Sequence, residues 1–427
     1  MLLLVIFAVF FAFALAGVPL VYALLLTTFG VIAAFGLSHP IQSVVLSFVG
    51  GVEAFHLVAV PLFIVAGELL SRGGVGRRIV AFASMIFGFL PGGLGIVTVV
   101  SSLLFGGVSG SAVAGSAAIG SVMIPAMAAR GYGKPFGAAL VSAAGTLAVI
   151  IPPSIPMLVY GFVGNVSVKD LFLSGVVPGI LFALGMIVIC VWHGRRTGCD
   201  PGGARPSAEQ LRRSFLACLP ALLMPVAILG GIWTGIFTPT ESAAVAVIYG
   251  FVIARFVYRD IAWRDVPRLV LDSFATSAVV MVVIGATAAL AWLITIEQVP
   301  AMLIELVRSI SGSQWGFLLL LNIALLLLGI FIEPVPALIL TAPLFIPTAR
   351  AFGVDPVHLG LIMTCNLAIG LYTPPVGGTL FVAARIAGVG MGAMTRSLIP
   401  IFVVSVAVLL LVTYVPALPM ALVWASR

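Results

Sequence analysis

The chain has 427 residues, of which 62% are hydrophobic and 8% charged, against about 25% charged in a typical soluble domain. That balance excludes a soluble globular protein and specifies an integral membrane one. The formal charge of +7 marks no nucleic-acid surface, because no basic stretch carries interleaved aromatics; the arginines read as topology signals in loops beside anionic membrane lipid.

A spanning helix needs about 20 apolar residues. Applied along the chain, that length predicts spans over 2–26, 53–70, 79–103, 136–162, 176–192, 215–237, 241–257, 269–294, 317–332, 357–382 and 398–418. The first has no basic residue ahead of its apolar run, so it is expected to be a retained helix rather than a cleaved signal. The segment "LFGGVSGSAVAGSAAIGSVMIP", from Leu104 to Pro125, is too rich in Gly, Ser and Ala for an ordinary lipid-facing span. It reads as a re-entrant hairpin with its tip at Ser109, Gly110 and Ser111; close packing of small residues alone explains the alanines but not the turn.

Next comes "AVIIPPSIPML", from Ala148 to Leu158. Pro152 and Pro153 remove two backbone donors inside an apolar helix, and hydrocarbon supplies no water in their place. The long polar stretch 193–214 follows, "HGRRTGCDPGGARPSAEQLRRS". Its five arginines make it the candidate cytoplasmic linker, and "ARFVYRDIAWRDVPR", two helices later, falls on the same side. Counting backward from the linker puts Arg72, Arg77 and Arg78 on the opposite side. In "TPTE", Thr238, Pro239 and Glu241 have the pattern of a helix N-cap, first helical position and capping box.

The second half repeats the first. A shift of 222 positions carries "IPAMAARGYG" at Ile124 onto "IPTARAFGVD" at Ile346, and Pro152-Pro153 onto Pro374-Pro375 in "GLYTPPVGGTL". Gly107 falls on Gly329. "LLLLGIFIEPVPALILTAPLFIP" (Leu325 to Pro347) is then the partner hairpin, with Glu333 near its tip; an intramembrane carboxylate is costly, which makes Glu333 a candidate for the ion pathway or for gating, a structural pair or an interfacial position being the alternative. Paired interruptions at corresponding positions of two halves point to a transporter site near the bilayer midplane.

The atoms suited to that site follow from the chemistry. Carbonyls freed at each Pro-Pro are hard oxygen ligands for a cation such as sodium, joined by the hydroxyls of Ser154 and Thr373. Half-helix N-termini at the hairpin tips would attract a carboxylate. Ser109, Gly110 and Ser111 with Pro152, Pro153 and Ser154 are expected to form one site; Thr373, Pro374, Pro375 and Gly377 with the second hairpin are expected to form the other. Asn366 lies one to two turns before the second break, where it either orients the break or bonds a neighbouring helix.

Other chemistry finds little footing. Cys190, Cys199, Cys218 and Cys365 form no CxxC pair, and His39, His56, His193 and His358 are scattered without carboxylates at ligand spacing, so no zinc site is expected and the histidines are placed at interfaces. The serines of the first tip have no nearby His or Asp for an intramembrane enzyme. Arg385 is placed at a cytoplasmic helix end.

The chain resembles the large membrane subunit of tripartite ATP-independent periplasmic (TRAP) transporters nearly end to end. The resemblance rests on "PLFIVAGELLSRGG" (Pro61), "LPGGLGIVTVVSSLLFGGVSGSAVAGSAAIG" (Leu90), "RGYGKPF" (Arg130), "IIPPSIPMLVYG" (Ile150), "GIFTPTESAAVAVIYG" (Gly235) and "NLAIGLYTPPVGGTLFV" (Asn366), in this order and spacing. It implies an all-α polytopic fold of the inverted-repeat elevator type in the bacterial inner membrane. The implied scaffold is 1–78 and 215–310. The implied transport repeats are 79–192, with hairpin 104–128 and broken helix 136–162, and 311–397, with hairpin 317–350 and broken helix 357–383; the linker is 193–214 and the C-terminal helix lies in 398–427.

The resemblance further implies no enzymatic activity, sodium as coupling ion, a carboxylate substrate delivered by a periplasmic substrate-binding (P) protein, and a small membrane (Q) subunit as partner. Val113 departs from the proline frequent in the family's first hairpin. Gly115 replaces its usual Thr or acid and offers no side-chain oxygen as a ligand. A stand-alone sodium- or proton-coupled organic anion symporter or exporter is the alternative with the same core.

Overall fold

A computed structural model describes residues 2–53, 55–203 and 205–426. Met1, Ala54 in an expected span, Ala204 in the expected linker and Arg427 lie outside the described residues, as do the side chains at 3, 4, 14, 15, 55 and 56, His56 among them. The described residues are helical throughout apart from short connections, and eight helices are long and apolar enough to cross a membrane, or up to ten if bent pairs are joined.

The 222-residue repeat is a structural one. Ala112–Ala129 shifts onto Pro334–Ala351, and the start of Lys134–Gly145 onto the start of Pro356–Gly370. The first hairpin consists of Gly93–Ser109 and Ala112–Ala129, the second of Gln314–Phe331 and Pro334–Ala351. Each is followed by a helix that breaks at its Pro-Pro. Lys134–Ile150 bends by 40° into Ile155–Val163, and Pro356–Gly370 gives way to Gly378–Ala387. Both proline pairs contain a cis peptide bond.

The two broken helices lie against each other with halves exchanged: Gly378–Ala387 packs on Lys134–Gly145, and Ile155–Val163 packs on Pro356–Gly370. Ser142 and Thr379 hydroxyls meet across this contact at 3.1 Å. Within each repeat, glycine brings the hairpin close to its broken helix. A methyl on Gly106 would lie 2.8 Å from the Ala148 Cα, and one on Gly370 would clash with the Gly329 carbonyl.

Several expected boundaries move, for identifiable reasons. The span expected over 79–103 is two elements: Val75–Phe87 ends, Gly92 turns the chain with positive φ, and Gly93–Ser109 is already the first hairpin arm, so that hairpin begins at Gly93 rather than at 104. A ruler of 20 apolar residues assumes a lipid-facing helix and cannot see an arm buried in protein. The expected 2–26 helix divides into Leu2–Leu15 and Leu20–Ala34 around Gly17 and Pro19, 53–70 falls on Ala59–Arg72, and Ile41–Glu53 ahead of it is a helix that was not expected. Helices Val168–Thr197 and Met391–Tyr414 are longer than expected.

The expected placement of Arg72, Arg77 and Arg78 opposite the linker is overturned. Arg77 and Arg78 pair with Asp260, at 3.1 and 2.6 Å, in the basic loop that begins near Tyr258, and the Tyr258 hydroxyl donates to the Ala217 carbonyl beside the linker. All lie on one face, the one on which the linker lies. Ala59–Arg72 and Val75–Phe87 meet at a bend of 62°, and Gly93–Ser109 belongs to the hairpin, so the crossing counted over 79–103 is lost.

The linker is shorter and more ordered than a solvated loop. Helices run to Thr197 and from Ala208, where Ser207 and Gln210 form a capping box. Between them Asp200 is fully buried: its carboxylate pairs with Arg130 at 3.0 Å and accepts from the Leu94 backbone at 2.9 Å, while its own backbone bonds Gly92 and Arg130. Asp200 thus joins both feet of the first hairpin to the linker.

Candidate functional site

The first hairpin tip is a tight reversal. Gly110 takes a left-handed backbone with φ of 61°, a conformation open to glycine at little cost, and Ser111 caps the second arm by accepting from the Ala114 backbone at 3.4 Å. The Ser109 hydroxyl accepts from the Ser111 backbone at 3.5 Å. Beside this tip runs the first break. A methyl on Gly110 would stand 2.9 Å from the Pro153 carbonyl oxygen, so tip and unwound strand touch.

Each break caps the backbone it frees. The buried Ser154 hydroxyl donates to the Val149 carbonyl and accepts from the Met157 backbone as N-cap of Ile155–Val163. In the second half the Thr373 hydroxyl donates to the Ile369 carbonyl at 2.7 Å, and the Leu371 carbonyl accepts from Thr379 backbone and hydroxyl at 3.1 and 2.9 Å. Val149 and Leu371 correspond under the 222-residue shift. Both hydroxyls retain lone pairs, and an oxygen that donates its proton elsewhere is oriented to face a cation.

Glu333 begins the second arm of its hairpin as N-cap without a side-chain capping bond, and its carboxylate is directed elsewhere: Oε1 lies 3.7 Å from where a Cβ on Gly378 would be, beside the second break. Val113 approaches the same point at 3.9 Å. The two tips and both breaks therefore converge. A cavity of about 450 Å³ is lined by Ser109 to Ala114, Glu333 to Val335, Val149, Ile155 and Leu371.

Of the expected site residues, Ser109, Gly110, Ser111 and Glu333 line this cavity; Pro152, Pro153 and Ser154 sit directly behind the first tip; Thr373, Pro374, Pro375 and Gly377 form the turn between Leu371, on the wall, and Gly378. Asn366 stands apart. Its amide is buried, donating to Asn322 Oδ1 at 2.7 Å and to the Ile362 carbonyl, and Asn322 continues to Thr413 at 3.3 Å. That is an interhelical amide chain, with Asn366 Oδ1 left without a partner. Glu241 forms the expected capping box with Thr238. His358, expected at an interface, is buried and bonds the Val412 carbonyl at 3.0 Å; His39 pairs with Glu297 at 2.7 Å.

The opposite wall holds residues that sequence reasoning missed. Ala59–Arg72 contributes Gly67, where a methyl would stand 2.7 Å from the Ser109 carbonyl oxygen, and Glu68 and Arg72. Arg72 pairs through Nε with Glu68 and, at 3.0 Å through Nη2, with Asp272 of Val266–Ile296. The four-residue spacing in "GELLSR" announces the first pair. Nothing in the sequence announces Asp272, 200 positions away.

The family model for the DctM component of tripartite ATP-independent periplasmic transporters matches residues 7–418. The chain is 42% identical over 370 residues to the C4-dicarboxylate TRAP transporter large permease protein DctM of Pseudomonas aeruginosa, covering 87% of this chain and 86% of that one. It is 38% identical over 416 residues to the isethionate TRAP transporter permease protein DctMQ of Oleidesulfovibrio alaskensis, covering 97% of this chain but spanning 65% of the relative's length. Among solved structures, the YdaH transporter of Alcanivorax borkumensis shares the fold, with TM-score 0.61 at 16% identity over 86% of each chain.

These relatives are transporters and not enzymes, and a multi-pass protein of this kind resides in the bacterial inner membrane. With its paired hairpins and broken helices in the elevator-type arrangement, the chain belongs to the DctM component family of tripartite ATP-independent periplasmic transporters.

Proposed function

We propose that this chain is the permease subunit of a secondary active, sodium-coupled transporter that imports an organic acid delivered by a periplasmic binding protein. The observation that carries the reading is the convergence of both hairpin tips and both proline breaks on one cavity. Ser109, Gly110, Ser111 and Pro152 to Ser154 surround one sodium; Thr373 to Gly377 with the second hairpin surround another; the carboxylate rests between the tips, where two helix N-termini attract it. The hairpins and broken helices move as a transport domain against Ala59–Arg72, Val266–Ile296 and their neighbours. Named relatives carry C4-dicarboxylates and isethionate, both organic acids, and the tripartite family supports a small membrane subunit as partner.

The test is uptake into proteoliposomes holding this chain and its neighbouring membrane protein, with and without a sodium gradient and candidate binding proteins. Uptake is expected only with both. Sodium-independent uptake that needs no binding protein would instead establish the stand-alone symporter.

A further inference from the structure

The scaffold wall of the cavity is charged at one end only. Glu68, Arg72 and Asp272 line the cavity that holds the hairpin tips, and Arg72 and Asp272 also line an adjoining cavity of about 290 Å³ with Asp260, Asp265 and Arg268, toward the face that bears the linker. The 222-residue shift places Leu290, Ile294 and Gly50 at the corresponding positions of the other half. There, a cavity of about 370 Å³ between the same two bodies is lined by Ser47, Gly51, Thr287, Ala291 and Trp292, without a charge. A substrate carried between the two ends would meet a fixed cation only on the inner side.

Arg72 is built for such a meeting. Its Nε is held by Glu68 and its Nη2 by Asp272, two carboxylates on different helices, so the guanidinium is oriented before any ligand arrives. Its Nη1 makes no hydrogen bond to a described residue. The side chain is 44% exposed, and it shares the cavity with Ser111 and Glu333. A planar fork with one arm free suits a carboxylate oxygen.

We propose that Arg72 is the inner-side contact for the substrate's carboxylate: Nη1 receives the anion as it leaves the tips, and Glu68 and Asp272 hold the fork in place while keeping its attraction weak enough for release. The proposal rests on the organic-acid reading above. Arg72 acts on one face only, which separates it from the tip residues, whose loss would weaken binding from both faces.

The experiment uses proteoliposomes of the complete system and whichever radiolabelled acid among succinate, sialic acid, gluconate and pyruvate it takes up. Half-saturation is measured from the outer face by uptake and from the lumen by exchange. For Arg72→Gln, the lumenal half-saturation concentration is expected to rise about fivefold, the upper range for a half-exposed ion contact, while the outer value stays within twofold. Arg72→Lys is expected to fall between, since it keeps the charge but not the fork. The combined E68Q/R72Q/D272N variant, which leaves no unpaired carboxylate and guards against misfolding, is expected to match Arg72→Gln.

Equal shifts on both faces, or an unchanged lumenal value in Arg72→Gln and the combined variant, would overturn the assignment while leaving the proposed function standing. No uptake of any organic acid by the unaltered system would remove both.

Discussion

Gly110 and the Pro153 carbonyl are in van der Waals contact across the first hairpin tip, closely enough that a single added methyl would stand 2.9 Å from that oxygen. The contact explains why this tip is a glycine twice over, since φ there is also left-handed. Gly110→Ala therefore carries a backbone cost of about 1 kcal/mol and displaces the Pro153 carbonyl. Sodium-dependent uptake is expected to drop about tenfold or more with membrane insertion unchanged, the sodium requirement shifting to higher concentration. Wild-type sodium dependence in this variant would show that the Pro153 carbonyl is no part of an ion site.

Ser111 and Glu241 offer a comparison between two capping residues. Ser111 is the N-cap of Ala112–Ala129, and Glu241 is the third residue of Pro239–Val252. Ser111 lines the cavity; Glu241 closes an exposed capping box with Thr238. Ser111→Ala is expected to raise the sodium concentration for half-maximal uptake severalfold, and Glu241→Gln to leave uptake within twofold. A larger effect at Glu241 would reverse the ranking.

Gly67 is where the wall of the cavity meets the first tip, through the Ser109 carbonyl. Gly67→Leu places a branched side chain into that contact, and overpacking of this kind costs about 1–3 kcal/mol. Transport is expected to fall sharply with little loss of expression, because the tip is held off the wall while each body stays folded. Normal uptake by the leucine variant would mean that this approach is incidental to the transport cycle.

Asp200 secures both feet of the first hairpin. Asp200→Ala leaves the Leu94 amide and Arg130 without their partner, a loss of about 2 kcal/mol for bonds to a charged group. The expected result is a lower unfolding temperature in detergent and faster tryptic cleavage at Arg212 and Arg213. Unchanged cleavage would show that the linker is held by something else.

Much of this architecture is legible in the sequence because its rules are local. Proline doublets, an SGS turn and a TPTE cap each announce their backbone, and the 222-residue shift pairs them across the halves. The missing parts are tertiary. The descending arm from Gly93 is as apolar as a span, and only its burial within protein distinguishes it. Arg72 meets Asp272 across two helices, and no spacing encodes that pair. Asp200 sits in the most polar stretch of the chain, where composition implies solvent; its burial depends on a guanidinium and an amide contributed from 70 and 106 positions upstream.

The brace at Asp200 also fixes where the polypeptide tolerates being severed. A nick between Pro206 and Ser207 leaves the aspartate attached to the half whose hairpin it ties, and leaves the Ser207 cap with the helix it starts. A nick between Gly198 and Cys199 hands the aspartate to the wrong fragment. Two co-expressed pieces should reassemble from the first division far more readily than from the second, although the two cuts lie only a few residues apart.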